Sequence, residues 1–285
     1  MVKFGPSGNS EMFYNAGHKS SVEAPAFLNK HGLTCYEYSF GRGFTLKNEL
    51  AQKIGEEAVK NNVLVSVHAP YYINLANPNP ETIDKNINYI IKSLDFLKLF
   101  NGKKCVFHSG SQTKQTRQDA LKVLYNQLDY VLNSYYQKGY DKDNLLLCPE
   151  TMGKSQQIGS VDEIIDMCLK DKCLYPTFDF GHINAVTNGI LKGIDDYRKI
   201  IDKCFDRLGE EKTKNMHIHF SKIEYTEKGE VKHLTLDDDV YGPDFEPLAH
   251  LINEYKLTPT IICESKGKMM EDAIKMKQFY DSIKN

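Results

Sequence analysis

Six residues of the types that bind metals recur along this chain, each at the end of a short strand-like run. They are His68, His108, Glu150, Asp179, His217 and Glu264. Successive members are separated by 29 to 47 residues, which is close to the length of one strand and one helix. A single histidine after a strand is usually structural, but six placements in register indicate that the side chains share one cavity. Histidine and carboxylate together suit zinc, manganese or iron.

Residues 175–182 show this pattern in its most compact form. A short apolar run ends at Asp179, and His182 follows three residues later. Because Gly181 lets the backbone turn at that point, both side chains could face one cavity at the mouth of the strand. The pattern D-x-x-H is by itself typical of an ordinary turn, so its weight comes from the other five positions.

Strand-like runs alternate with helix-length amphipathic segments, and this alternation must position the ligand-type residues. We count eight strand–helix units over residues 1–285, with no linker or repeat between them. The sequence therefore predicts an α/β fold, a single (β/α)8 TIM barrel with a metal cluster at the C-terminal ends of its strands. The alternative is an open doubly wound sheet, which usually carries a glycine-rich phosphate loop after its first strand. The segment Gly5-Pro6-Ser7-Gly8 matches such a loop poorly.

Composition narrows the function without identifying it. The chain is 41% hydrophobic and 26% charged with a net charge of −2, so no global basic field favours a nucleic-acid partner. Any such partner would have to be held by local charge or by metal. The seven cysteines include no C-x-x-C pair, which fits free thiols in a reducing compartment. With no signal-peptide pattern and no apolar run of membrane-spanning length, we expect a cytoplasmic monomer that does not enter a membrane.

Motifs along the whole chain resemble those of the deoxyribonuclease IV (endonuclease IV) family, the zinc-dependent apurinic/apyrimidinic (AP) endonucleases of the xylose isomerase-like TIM barrel superfamily. The matching segments are Val67-His68-Ala69-Pro70-Tyr71-Tyr72-Ile73-Asn74-Leu75, Phe107-His108-Ser109-Gly110, Pro149-Glu150-Thr151, Asp179-Phe180-Gly181-His182, Met216-His217-Ile218-His219, His233 and Cys263-Glu264-Ser265. The first segment is the most specific of them.

The resemblance implies three metal sites holding two or three Zn²⁺ ions, with Mn²⁺ or Fe²⁺ as alternatives at one site. The ligands of the first site would be His68, His108 and Glu150. Glu150 would also bridge to a second site, completed by Asp179, His217 and Glu264. His219 lies in phase with His217 but is not a ligand in the family, so we expect it to support the site at most.

The third site departs from the family pattern. The resemblance assigns it His182 and His233, together with an aspartate two residues before the last histidine. That position is Val231 here, and Glu230 is the residue that could replace the aspartate. We therefore expect a third site that is weaker than the other two or built differently.

The resemblance also implies a function in DNA repair. The enzyme would hydrolyse the phosphodiester 5′ to abasic sites in damaged double-stranded DNA during base excision repair. Metal-activated hydroxide would attack the phosphate, with Glu150 as the catalytic residue of the chain. Tyr71, Tyr72 and Ile73 would enter the minor groove and support a flipped-out nucleotide, and Arg42 would be a further wedge.

Two other functions remain open from the sequence. A sugar isomerase or epimerase on the same barrel holds one divalent metal with a Glu, Asp, His, Glu set, which Glu150, Asp179, His217 and Glu264 would satisfy. Such an enzyme does not need the remaining histidines of the pattern as ligands. A non-catalytic metal- or DNA-binding barrel is a third class, and the intact Glu150 disfavours it.

Overall fold

The computed structural model describes residues 1–41 and 43–284, so the predicted DNA contact Arg42 lies outside the described residues. The strands are β1 Lys3–Pro6, β2 Cys35–Ser39, β3 Leu64–His68, β4 Lys104–Phe107, β5 Leu146–Pro149, β6 Thr177–Asp179, β7 His217–Phe220, β8 Lys222–Thr226, β9 Gly229–Leu234 and β10 Thr260–Cys263. The α-helices are α1 Glu11–Asn15, α2 Ala24–Lys30, α3 Asn48–Lys60, α4 Ile83–Leu99, α5 Arg117–Gln137, α6 Val161–Leu169, α7 Phe180–Val186, α8 Ile194–Lys214, α9 Glu246–Glu254 and α10 Met269–Ser282.

Eight parallel strands close into a barrel. Strands β2, β3, β4 and β5 pair in that order, and β1, β10, β7 and β6 form the other half. A bridge between Ser7 and Glu37 joins β1 to β2, and a bridge between Glu150 and Thr177 joins β5 to β6. The predicted (β/α)8 barrel is therefore confirmed, and the open doubly wound sheet is excluded.

The helices around the barrel bury the apolar stripes that the sequence showed. In α4, Ile90, Leu94 and Leu97 have no exposed surface, while Lys92 and Lys98 lie on the outer face. Burying each such aliphatic side chain contributes about 1.5–3 kcal/mol. This packing makes the barrel a rigid support for the loops at its C-terminal end.

No helix among the described residues is long and apolar enough to span a membrane.

Strands β8 and β9 form an antiparallel hairpin outside the barrel, directly after β7. Its pairing shifts register, since Glu224 faces Lys232 while the next residue, Tyr225, faces Glu230. Val231 is thus the extra residue of a β-bulge. The tip is fixed to the loop after β5, because the Glu230 amide donates a 2.9 Å hydrogen bond to the carbonyl of Gly153. The hairpin therefore has a defined position over the end of the barrel.

Candidate metal centre

The first group of ligand-type residues joins the ends of three neighbouring strands. The Nε2 atoms of His68 and His108 each lie 3.1 Å from Oε2 of Glu150. Nδ1 of His68 lies 2.7 Å from the carbonyl oxygen of Ala69, which can only accept a hydrogen bond. The ring therefore keeps a proton on Nδ1, and Nε2 is the atom that would bind a metal in exchange for its own proton.

The second group lies against the first and shares Glu150 with it. One ligand atom from each of Glu150, Asp179, His219 and Glu264 lies within 4.8 Å of the others. Nδ1 of His219 is 2.8 Å from Oε1 of Glu150 and 3.6 Å from Oε1 of Glu264. The buried Oδ2 of Asp179 accepts no hydrogen bond from any described residue. A buried carboxylate oxygen without a donor is costly, so this group fits a cation.

Charge within the two groups also fits a cation. Burial raises the pKa of Asp179, and the neighbouring Glu264 and Glu150 carboxylates raise it further. Burial would likewise raise the pKa of Glu150, but its histidine neighbours hold that pKa well below its usual value. A bound divalent cation would relieve the repulsion among these carboxylates, which otherwise resist being ionised together.

His217 is not in the second group, which corrects the sequence prediction. The two histidines point to the same face of β7 because side chains repeat every second residue along a strand. His219 is nearer the C-terminal end of β7, while His217 lies one layer deeper, with Nε2 2.9 Å from Oε2 of Glu37. Burial lowers the pKa of His217 to about 4, so this ring is neutral. His219 takes the place predicted for His217.

We expect His219→Gln to lose one bound metal ion per chain and His217→Gln to keep the full number. The first change removes a ring whose Nδ1 faces Glu150 and Glu264, whereas the second removes a ring that faces Glu37. Metal analysis of the two purified variants after equal dialysis against zinc measures the difference. Loss of an ion from His217→Gln alone would restore the assignment made from the sequence.

The third group contains the two predicted histidines and Glu230. Oε2 of Glu230 lies 3.6 Å from Nε2 of His182, and its Oε1 lies 3.8 Å from Nε2 of His233. Nδ1 of His182 is 2.9 Å from the carbonyl oxygen of Thr151, so in this ring too Nε2 is the atom that would bind a metal. The group has three ligand-type residues, which is enough for a metal site.

The bulge at Val231 explains how Glu230 can replace the aspartate of the family. In a regular strand, residues 230 and 233 would point to opposite faces. The extra residue turns Glu230 and His233 to the same side, while the Val231 side chain is 50% exposed. Gly153 leaves the space that Glu230 occupies, since a Cβ there would lie 2.8 Å from the Cβ of Glu230.

Glu230→Ala should therefore remove one metal ion per chain, whereas Val231→Ala should remove none. The first variant leaves the third group with two histidines, and structural or catalytic metal sites seldom have fewer than three protein ligands. The second variant changes the adjacent exposed position and is the matched control. Zinc content after mild chelation measures both. An unchanged ion count in Glu230→Ala would show that Glu230 is not a ligand.

Asp179 and His182 are brought together by a helix that the sequence analysis did not predict. Helix α7 begins directly after β6, and Oδ1 of Asp179 accepts a 2.8 Å hydrogen bond from the amide of His182. Asp179 is thus the N-cap of α7 and keeps its second oxygen for the metal group. Gly181 is needed here because a Cβ would lie 2.7 Å from the carbonyl oxygen of Ser221.

The two tyrosines of the loop after β3 are exposed beside the metal groups, but the third predicted DNA contact is not. The exposed fractions are 58% for Tyr71 and 43% for Tyr72. Tyr71 and Lys154 line a cavity of about 350 Å³ together with residues of all three groups. Ile73 is only 2% exposed and packs in the hydrophobic core, which contradicts its predicted role in DNA contact. It anchors the loop from below.

Metal binding should be pH-dependent in a defined window. Although burial opposes protonation, Glu150 raises the pKa of His68 to about 9, and Asp179 raises that of His182 to about 9. In the metal-free protein both rings carry protons at neutral pH, and a metal must displace them. Apparent zinc affinity should therefore rise with pH up to about 9 and then level off. Calorimetry in buffers of different ionisation enthalpy measures the released protons; a constant affinity with no proton release would contradict this assignment.

Comparisons with known proteins place the chain among TIM barrels. A family model described as xylose isomerase-like TIM barrel matches residues 25–280. The uncharacterized protein MJ0133 of Methanocaldococcus jannaschii is 33% identical over 282 residues, covering 95% of this chain and 97% of that protein. A probable endonuclease 4 of Shouchella clausii is 24% identical over 275 residues and covers 89% of each.

Solved structures show the same barrel. A D-tagatose 3-epimerase-like protein superposes with a TM-score of 0.70 at 18% identity, covering 99% of this chain and 96% of that one. Endonuclease IV from Thermus thermophilus superposes with a TM-score of 0.64 at 16% identity, covering 92% and 93%. At these identities the likeness concerns the fold, and the site must decide the chemistry.

Proposed function

This chain belongs to the xylose isomerase-like TIM barrel family, and from that premise we propose that it is an AP endonuclease, hydrolysing the phosphodiester 5′ to abasic sites in DNA during base excision repair. The observation that carries the proposal is the set of three ligand groups at the C-terminal ends of the strands, which adjoin a fourth, deeper group of Glu37, His217 and His219. A one-metal enzyme of this barrel needs only the second group. In such an enzyme, two histidine pairs would have no role as metal ligands: His68 with His108 in the first group, and His182 with His233 in the third.

Glu150 supports this function because its two oxygens face different groups. Oε2 is shared by His68 and His108, while Oε1 lies against His219. Zinc ions held there, or Mn²⁺ or Fe²⁺ at one position, would lower the pKa of a water and neutralise phosphate charge. The carboxylate would fix the distance between the first two groups, which decides whether an attacking oxygen and the phosphorus atom are aligned.

Tyr71, Tyr72 and Lys154 would bind the DNA. The rings of Tyr71 and Tyr72 pack edge to face with centroids 5.8 Å apart, so each ring restricts the orientation of the other. Aromatic side chains of this kind can replace the stacking lost when an abasic nucleotide is extruded. Lys154 would contact a phosphate at the rim of the cavity. Such local contacts would suffice in a chain whose net charge is −2.

We further propose that the enzyme works in the cytoplasm as a monomer on damaged double-stranded DNA. All seven cysteines are free and buried, which supports a reducing compartment.

A divalent-metal sugar epimerase is the second candidate. Glu150, Asp179, His219 and Glu264 form a complete Glu, Asp, His, Glu set without help from the other groups. The likeness to the D-tagatose 3-epimerase-like protein is consistent with this chemistry but concerns the fold alone.

Incubating the metal-loaded protein with each type of substrate separates the two candidates. The first substrate is a labelled duplex with one abasic site, with the undamaged duplex as its control, and the second is a set of ketoses. We expect a single cut 5′ to the abasic site that leaves a 3′-hydroxyl, and no epimerised sugar. An intact abasic duplex together with epimerised ketose would establish the second candidate.

A further inference from the structure

A second polar layer lies inside the barrel, one layer below the metal groups. It consists of Glu37 on β2, Ser66 on β3 and His217 on β7, and each is at most 1% exposed. The hydroxyl of Ser66 donates a 2.8 Å hydrogen bond to Oε2 of Glu37, and Nε2 of His217 lies 2.9 Å from the same oxygen. None of these residues belongs to the ligand set that the sequence resemblance implies, apart from the reassigned His217.

The other carboxylate oxygen of Glu37 faces the metal centre. Oε1 lies 2.9 Å from Nε2 of His219 without hydrogen-bond geometry, and neither atom has a hydrogen-bond partner among the described residues. On the opposite side of the same ring, Nδ1 of His219 lies 2.8 Å from Oε1 of Glu150. One imidazole therefore connects the buried layer to the second metal group.

We propose that Glu37 is the positioning residue of the metal centre, holding His219 with its proton on Nε2 so that Nδ1 binds the metal. An ionised carboxylate can only accept hydrogen bonds, so it selects the tautomer of the ring that faces it. A carboxylate behind a metal-bound histidine also makes that histidine a stronger ligand. In this role Glu37 acts through His219 and would not itself bind the metal or the substrate.

Ser66 and His217 hold Glu37 in the orientation that this role requires. Both donate to Oε2, which leaves Oε1 turned toward His219. The H-x-H sequence of β7 then has two functions, with His219 binding the metal and His217 holding the carboxylate that positions it. This accounts for a buried ionisable cluster that the ligand set alone leaves without a purpose.

The test is the zinc and cobalt affinity of the full chain carrying Glu37→Gln, measured by competition with a chromophoric chelator. This variant keeps the side-chain volume and removes the charge. We expect the same number of ions, with one of them bound about 10–100-fold more weakly, as is typical for the loss of a partner behind a metal ligand. The cobalt spectrum of that site should change as well. Parental affinity for every ion in a folded Glu37→Gln protein would overturn the proposal.

Two further variants separate positioning from a general packing effect. Ser66→Ala removes one of the two donors to Oε2 but keeps the Glu37 charge and the second donor, His217, so it should weaken the same ion by less than Glu37→Gln does. Equal weakening in Ser66→Ala and Glu37→Gln would contradict the proposal. If Glu37→Gln fails to fold, Glu37→Asp keeps the charge but shortens the side chain. It should weaken the same ion, and unchanged affinity there would equally overturn the assignment.

This inference rests on the metal centre of the proposed function but not on its substrate. The affinity measurement contains no DNA and no sugar. A protein that leaves abasic duplex intact, but whose Glu37→Gln variant weakens one ion, would retain the positioning role and lose the proposed activity. If the protein cuts abasic duplex and its Glu37→Gln variant binds every ion with parental affinity, the activity is retained and the role of Glu37 is removed.

Discussion

Replacing Glu150 with glutamine should lower the rate of cleavage at an abasic site by about 10³-fold or more, while the affinity for the DNA changes by less than about tenfold. The carboxylate has Oε2 at 3.1 Å from the histidines of the first group and Oε1 at 2.8 Å from His219. A neutral amide offers only one good metal ligand atom, so the two groups lose their common bridge. The loss falls on the transition state because charge neutralisation and alignment matter most there.

Single-turnover kinetics and binding measured in the absence of turnover separate the two effects of this change. Glu246→Gln is the matched control, since it makes the same chemical change at an exposed carboxylate at the start of α9. It should cleave and bind like the parent. Equal losses of rate and affinity in Glu150→Gln would instead identify Glu150 as a residue for binding or folding.

Replacing Tyr71 and Tyr72 together with alanine should weaken binding to abasic duplex by about 5–150-fold for each ring that stacks, equivalent to about 1–3 kcal/mol per contact. Both rings are substantially exposed, and Tyr71 lines the cavity that holds the metal groups. No atom of either ring belongs to a ligand group, so the metal content should not change. Binding to undamaged duplex should fall less, because no extruded nucleotide needs support.

Tyr130→Ala is the control for this double variant. Tyr130 lies on α5, is 54% exposed and is not among the residues that line the cavity. Its replacement removes a surface aromatic ring of similar exposure without changing the proposed DNA contact. If the Tyr71 and Tyr72 double variant binds and cuts abasic DNA like Tyr130→Ala, the tyrosines do not act as a wedge.

The barrel could be predicted from the sequence because its signal is distributed over the whole chain. Eight alternations of strand and helix indicate one architecture, and small errors in each boundary do not change it. The ends of the strands could be placed for the same reason. Their positions predicted that five residues lie in one region: His68, His108, Glu150, Asp179 and Glu264. The sixth strand nevertheless begins at Thr177, later than the apolar run suggested, and α7 follows without a loop.

The depth of a residue within the barrel could not be predicted in this way. Side chains two residues apart on a strand share a face, so His217 and His219 were equivalent in the pattern. Both rings lie 2.9 Å from Glu37, and only the 2.8 Å distance from Nδ1 of His219 to Glu150 on another strand shows which histidine is nearer the metal groups. The signal that sequence reasoning missed was Glu37 itself, since a carboxylate within a buried strand requires a partner.

Predictions for the hairpin and for the tyrosine loop were limited because both depend on local backbone geometry. A β-bulge moves every later side chain to the other face, and nothing in the segment around Val231 marks its position. In the loop after β3, the apolar Ile73 continues a run of large side chains that begins with two exposed tyrosines. Whether such a residue turns inward depends on what packs beneath it, which is a property of the folded barrel.

The most direct test of a multinuclear centre is the number of zinc ions bound per chain, measured by native mass spectrometry on the parent protein and on Glu230→Ala. We expect three ions in the parent, one for each of the three ligand groups at the strand ends, and two in the variant. A single ion in both proteins, unaffected by replacing His68 with glutamine, would contradict the account and assign the chain the metal site of a one-metal epimerase.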